Sequence, residues 1–239
     1  MNVVLLEPSE VDAHGQATLE GRRAAHVASV LRKAPGDALS VGLVGGRIGE
    51  ATVVSSTKTT LVLRDCSFDR APAPKRPITV VLALPRPPVF RRLLQHLTAL
   101  GVERLVLLHT KRVEKSYWMS PALEPEAIDA QIRLGLEQAV DTVPLLVERA
   151  RGFKAFVQDR LGALAEGARL LVAHPGAHPP CPADVQGRVV VLIGPEGGFI
   201  PYEVDRLCEA GAEPVSLGSR VLRVETATVA LLGRLGDRA

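Results

Sequence analysis

The chain has 239 residues, 46% of them hydrophobic and 23% charged, values that belong to folded globular proteins and exclude disordered and fibrous classes. No apolar run approaches the ~20 residues that a membrane helix needs. The formal net charge is only +3, but residues 1–115 carry 17 Lys and Arg against 10 Asp and Glu while the remainder carries 12 against 16, a balance suited to a polyanion that lands on one part of the molecule.

The opening Met1-Asn2-Val3-Val4-Leu5-Leu6-Glu7 has no basic segment and its apolar run stops at Glu7, so no signal peptide is expected and the chain is expected to stay in the cytoplasm. Short β segments are predicted at 3–6, 38–44, 49–54 and 60–64, separated by turn chemistry such as Pro35-Gly36-Asp37 and Gly45-Gly46. One helix interrupts them at 21–32, where Val27, Val30 and Leu31 recur at helical spacing. The composition predicts a small β-barrel over 1–70. Residues 71–77, with Pro72, Pro74 and Pro77, favour extended backbone and read as a linker.

From 78 to 239 the pattern changes to apolar β runs alternating with helices: strands at 78–84, 105–108, 169–173, 189–193 and 214–217, and helices at 89–100 and 127–139. Near-continuous Val and Leu runs between helices predict an α/β domain with a parallel sheet covered on both faces. Cys66, Cys181 and Cys208 are isolated and lack C-x-x-C spacing, so they read as structural thiols. His174 and His178 are separated by Pro175-Gly176-Ala177 in a proline-rich stretch, which reads as a loop after a strand, and no metal is expected.

The chemistry concentrates near the C-terminus. Val189-Val190-Val191-Leu192-Ile193 runs into Gly194-Pro195-Glu196-Gly197-Gly198-Phe199 and then a predicted helix at 201–210 closed by Gly211. Such loops lie at the carboxyl ends of sheet strands, where ligands bind in open α/β folds. The loop lacks G-x-x-x-x-G-K-[ST], G-x-G-x-x-G and G-x-S-x-G, which removes the phosphate-loop, dinucleotide and hydrolase readings. A second turn, Leu217-Gly218-Ser219-Arg220-Val221-Leu222-Arg223-Val224-Glu225-Thr226-Ala227, follows the next strand, so charge converges at one sheet edge.

This pair of turns resembles the paired signature of the bacterial 16S rRNA uridine-N3 methyltransferases (RsmE) of the SPOUT superfamily. The N-terminal His26-Val27-Ala28-Ser29-Val30-Leu31-Arg32 with Gly36-Asp37 is similar to that family's RNA-binding, PUA-like barrel. The resemblance implies a C-terminal trefoil knot, S-adenosyl-L-methionine as cofactor, and a homodimer acting on 16S rRNA or the small ribosomal subunit. It also implies a cofactor wall formed by His174, Pro175, Ile193, Gly194, Pro195, Glu196, Gly197, Leu217, Gly218, Val221, Leu222 and Arg223. The middle of the chain departs from the family: His96 and Ala99 stand where Lys and Glu are usual, and Asp141 stands close to a usual Arg. Two other readings stay open, a SPOUT methyltransferase acting on tRNA or another rRNA position, and a non-catalytic RNA-binding or ribosome-assembly factor.

A uridine N3 carries a proton at neutral pH and becomes nucleophilic only when that proton is lost or shared. Arg223 is the candidate for stabilising the developing uracil anion, with Glu196 or Glu225 orienting it or relaying the proton. Candidate RNA contacts are Arg22, Arg23, His26, Arg32 and Lys33 on the barrel, and Arg86, Arg91 and Arg92 at the domain junction. Aromatic residues make up only 3%, which argues against stacking along an extended single strand; Tyr117-Trp118 is the one pair open to base contact or packing.

Overall fold

The computed structural model describes residues 2–236, and its chain divides into two compact units. One runs to Ala73 and also takes in Ile132–Pro144; the other comprises Pro74–Gln131 and the chain from Leu145 onward. The division falls inside a helix, a feature without a signal in the local sequence.

The first unit contains β1 (Val4–Leu6), β2 (Ala17–Glu20), α1 (Arg22–His26), β3 (Ala38–Leu43), β4 (Ile48–Ser56) and β5 (Thr60–Arg64). The strands form one sheet in the order β1-β3-β4-β5-β2, antiparallel except for the parallel β1–β3 pair. Alternate residues such as Leu39, Val41, Ala51, Val53, Leu61 and Leu63 turn inward onto a core completed by Leu6, Leu19 and Val27. Strand β2, which the sequence reading left out, has the same alternation, with Ala17 and Leu19 buried and Thr18 and Glu20 exposed. The helix expected over 21–32 is α-helical only to His26; Val27–Leu31 widens into a π-turn that ends at Arg32 with φ 51°. Val27 is buried by this segment, and Val30 is left outside.

Residues 132–144 join this unit through specific bonds. The Asn2 N–H donates to the Glu137 carbonyl at 2.7 Å, the Gly45 N–H to the Thr142 carbonyl at 2.7 Å, and Thr142 Oγ1 to the Gly46 carbonyl at 2.5 Å. Glu137, 1% exposed, receives both guanidinium nitrogens of Arg22 at 2.6 and 2.8 Å. Asp141 builds the turn itself, its Oδ1 accepting from the N–H groups of Thr142 and Val143 at 2.7 and 3.0 Å.

The second unit contains β6 (Arg76–Ala83), α2 (Pro87–Ala99), β7 (Val102–Leu108), α3 (Pro125–Ala139, shared with the first unit), β8 (Leu146–Ala150), α4 (Phe153–Phe156), α5 (Gly162–Ala165), β9 (Ala168–Ala173), β10 (Arg188–Ile193), α6 (Pro201–Glu209), β11 (Glu213–Val215) and α7 (Val224–Leu235). Its six strands are all parallel, in the order β11-β9-β10-β6-β7-β8. Central β6 and β10 are buried along almost their full length, as continuous apolar runs require. β6 begins at Arg76, so the last two residues expected as linker are strand. Pro77 is tolerated because the β6–β7 register shifts between Arg76 and Thr79, and Pro214 because β11 is an edge.

The helix α2 starts on Pro87-Pro88, buries Phe90, Leu93, Leu94 and Leu97 at spacings of three and four, and stops at Gly101, whose φ of 70° suits only glycine well. Two elements escaped the sequence reading: β8, whose residues are mostly half-exposed, and the segment α4–α5, bridged by a π-turn at Val157–Leu161. Among the cysteines, Cys181 is buried and Cys66 half-buried, but Cys208 is exposed and holds no core position.

Candidate active site

Starting from β6, the chain builds β7 and β8 outward on one side and then crosses to place β9, β10 and β11 on the other. Parallel sheets leave a crevice at the carboxyl ends of strands where such a reversal occurs. A cleft of about 620 Å³ opens there. Its walls come from the residues after β6, β9, β10 and β11, together with the start of α7.

The wall after β10 is a compressed loop. The Gly198 N–H donates to the Pro195 carbonyl at 2.7 Å, and a Cβ on Gly194 would stand 2.9 Å from the Phe199 nitrogen and 3.1 Å from the Gly198 carbonyl carbon. Glycine at 194 is therefore a steric requirement of the turn. Glu196 Oε1 accepts the Arg86 N–H at 3.0 Å, tying the loop to the start of α2. Arg112 donates to the Gly197 carbonyl from the outer side.

The wall after β9 begins at His174, whose N–H donates to the Val215 carbonyl at 3.0 Å. The imidazole lies 5.7 Å, centroid to centroid, from that of His178. Its Nδ1 is buried and has no hydrogen-bond partner among the described residues. Burial, with smaller contributions from the neighbouring His178 and Arg112 charges, pushes the His174 pKa below the usual histidine value, which favours the neutral ring. After β11, the Ser216 hydroxyl accepts from the Gly218 N–H and donates to the Gly218 carbonyl, both at 3.1 Å, in a turn where Gly218 has φ 114°. The chain then runs along the rim through Arg220, Val221 and Leu222 to Arg223, which occupies the N-cap position of α7.

The cleft thus gathers His174, Pro175, Ile193, Gly194, Pro195, Glu196, Leu217, Gly218, Val221, Leu222 and Arg223, the residues singled out in sequence apart from Gly197, which faces Arg112 instead. Glu225 also lines it, with Oε1 taking Arg92 Nη2 at 3.3 Å. The Arg223 side chain is exposed and has no carboxylate partner among the described residues. Several residues, among them Val89, Ala173, Gly198, Val215 and Ser216, contribute to the lining without having been expected as site residues. Ala173, adjoining His174, and Ser216, adjoining Leu217-Gly218, carried a positional hint; Val89 did not.

The candidate RNA contacts separate into two kinds. Arg22 is bound to Glu137. Arg23 donates to Glu10 at 2.5 and 2.8 Å and to the Leu5 carbonyl at 2.7 Å, and its guanidinium holds the Glu10 carboxyl below the usual glutamate value. His26 is half-buried, with burial lowering its pKa and leaving Nε2 without a partner. Arg32, Lys33 and Arg91 have no carboxylate partner among the described residues, and Arg86 and Arg92 line the cleft. The aromatic pair is half-buried: Trp118 Nε1 donates to His109 Nδ1 at 2.9 Å, and the Arg151 guanidinium lies 5.4 Å from the Trp118 ring centroid. Of the atypical central residues, His96 and Ala99 are exposed on α2.

Residues 71–236 match the family described as RNA methyltransferase domain. The chain is 29% identical over 236 residues to the ribosomal RNA small subunit methyltransferase E of Treponema pallidum, covering 96% of this chain and 88% of that protein. It is 28% identical to the namesake from Mycobacterium bovis, covering 94% and 87%. Among solved structures, a Legionella pneumophila putative methyltransferase in complex with the bound cofactor SAM superposes with a TM-score of 0.74 at 23% identity, covering 98% of this chain and 96% of that one. The Neisseria gonorrhoeae ribosomal RNA small subunit methyltransferase E bound to S-adenosyl methionine gives 0.72 at 21% identity, covering 98% and 95%. At these identities the two structures establish likeness of fold.

Proposed function

The chain belongs to the RNA methyltransferase domain family, and on that premise we propose that it is an S-adenosyl-L-methionine-dependent methyltransferase acting on a uridine N3 of 16S rRNA. The observation that carries the reading is the cleft at the ends of β9, β10 and β11, where two glycine turns and the His174 loop converge. The relatives named ribosomal RNA small subunit methyltransferase E, matched over nearly the whole chain, support the substrate class.

The residues present fit the methyl donor. His174 lines the cleft and its buried Nδ1 has no hydrogen-bond partner among the described residues, and the turns at Gly194 and Gly218 bring backbone to the cleft surface. His174, Pro175, Ile193 to Glu196, Leu217, Gly218, Val221 and Leu222 would hold the donor. When bound, it supplies an electrophilic methyl group on a sulfonium. The protein's task is then to position the uracil in line and to favour its N3 anion. Arg223, a rim cation without a carboxylate partner among the described residues, stabilises the negative charge that develops on the uracil. Glu196 and Glu225 stand on the same rim to orient the base or take the N3 proton, each already anchored, one by the Arg86 N–H and the other by Arg92.

Arg223→Ala is expected to lower kcat about 100-fold at saturating donor and RNA. Unchanged turnover would remove Arg223 from the mechanism. Calorimetric binding of S-adenosyl-L-methionine separates an enzyme from a scaffold, and mass spectrometry of 16S rRNA from a deletion strain, looking for a missing methylated uridine, tests the substrate.

The resemblance carried by residues 26–32 with Gly36-Asp37 supports a PUA-like role for the first unit, and that carried by the two glycine turns supports a trefoil knot in the second. The lacing of residues 179–185 to the C-terminal region agrees with a knot: Ser216 N–H to the Pro179 carbonyl, Cys181 N–H to the Ser216 carbonyl, and Asp184 and Val185 N–H to the carbonyls of Arg234 and Leu235, all at 2.8–3.1 Å. A homodimer is supported by apolar side chains left at the surface beside the cleft: Val221 is 82% exposed, with Leu222 and Val229 also open. Light scattering should give the mass of two chains.

A further inference from the structure

Cations of the second unit collect at the ends of β7 and β8, on the outer side of the Gly194–Phe199 loop. Lys111 and Arg112 follow β7, Lys115 lies in the 3-10 turn Lys115–Met119, Arg151 follows β8, and Lys154 lies in α4. All five are exposed. Backbone and buried groups bring these segments together. The His109 N–H donates to the Ala150 carbonyl at 2.9 Å, joining the two strand ends, and the Lys111 N–H donates to Glu203 Oε1 at 2.7 Å. Glu203 is 2% exposed, and its other oxygen caps the start of α6 by accepting the Ile200 N–H at 3.0 Å.

None of the five cations has a carboxylate partner among the described residues. Arg112 donates to the Gly197 carbonyl, Arg151 rests over Trp118, and Lys154 Nζ stands 5.8 Å from the Tyr202 ring centroid. Backbone carbonyls and aromatic faces orient a cation without neutralising it, so its charge remains available to a ligand. The exposed carboxylate within the 111–115 run is Glu114. The contrast with Arg22 and Arg23, whose charges are taken up by Glu137 and Glu10, is direct.

We propose that Lys111, Arg112, Lys115, Arg151 and Lys154 form a phosphate-binding surface for structured RNA, which presents the target base to the adjoining cleft. Arg112 sits at the junction: it bonds the loop whose neighbouring residues, Glu196 and Gly198, line the cleft. Tyr202, 45% exposed beside Lys154, offers an aromatic face at the same edge. Un-neutralised cations at the strand ends, with Arg112, Arg151 and Lys154 oriented by a carbonyl or an aromatic face, suit a folded RNA backbone, whose phosphates stand in a set arrangement.

This inference rests on the RNA methyltransferase reading, and the test keeps the two apart. Full-length 16S rRNA transcript is titrated with wild type, with K115E/K154E and with R151E over a salt series, while S-adenosyl-L-methionine binding is measured on the same preparations. Each phosphate contact contributes about 0.9 to the slope of log affinity against log salt in duplex DNA. K115E/K154E is expected to bind the transcript at least tenfold more weakly, with a slope shallower by about two, and to keep wild-type donor affinity. R151E is expected to show the same trend with about half the change in slope. Retained RNA affinity and slope in both variants, with donor binding intact, would overturn the surface. Failure of the wild type to bind the donor would instead sink the methyltransferase reading.

Discussion

Arg22 illustrates what a single residue's neighbours do to its expected role. In sequence it is one of two adjacent arginines at the start of a helix, a natural phosphate contact. In the fold its guanidinium closes on Glu137, a carboxylate 115 positions away that is almost completely buried. Removing Arg22 leaves the buried Glu137 carboxylate uncompensated, but Arg22 itself is half-exposed and screened by solvent, so the cost is about 1–2 kcal/mol. Arg22→Ala should therefore lower stability by about that amount in denaturant titrations and leave the salt dependence of RNA binding unchanged. A variant with normal stability and a shallower slope would return Arg22 to the RNA-contact list. Asp141 is a similar case: it stands near a position where the family resemblance leads one to expect arginine, and here it accepts two backbone N–H groups of its own turn.

At the scale of elements, the loop between β10 and α6 was the most legible feature, because its chemistry is local. An apolar strand, glycines, then Pro201 at the first helical turn specify strand, tight turn and helix within a few residues. Its functional content depends on compactness, since a Cβ at 194 would press on the backbone of Phe199 and Gly198. Gly194→Ala should weaken S-adenosyl-L-methionine binding about tenfold by calorimetry, with a stability loss of about 1–3 kcal/mol from the displaced loop. Undiminished donor affinity would show that the loop is not a wall of the donor site. Less legible were β8 and the α4–α5 segment. β8 lies at a sheet edge and carries charged Glu148 and Arg149, so it lacks the apolar run that announced the central strands. The α4–α5 helix is interrupted by a π-turn that blurs the regular helical spacing.

At the scale of the molecule, the first compact unit is discontinuous in sequence. Residues 132–144 supply the carboxylate that holds Arg22, the carbonyl that receives the Asn2 N–H, and the threonine that bonds the Gly45-Gly46 turn. A fragment of residues 1–77 lacks all three. It is expected to be largely unfolded or markedly less stable by circular dichroism than the same region in the full chain, and a cooperative melt at full-chain temperature would show these contacts to be dispensable.

Patterns that act over a few residues were readable without any fold. Short β segments between turn residues marked most strands of the first sheet, continuous apolar runs marked the buried parallel strands, and the two glycine turns marked the edge where the cleft lies. Each is written in neighbouring positions, because strand pleat, helix pitch and turn geometry are short-range constraints. The fate of individual charges was not readable. Arg22, Arg23, Arg112 and Arg151 are alike in sequence, yet two are neutralised by carboxylates and two are held by a carbonyl and an indole face with their charge available. That sorting depends on partners 13 to 115 positions apart, and such distances close only when the chain has folded.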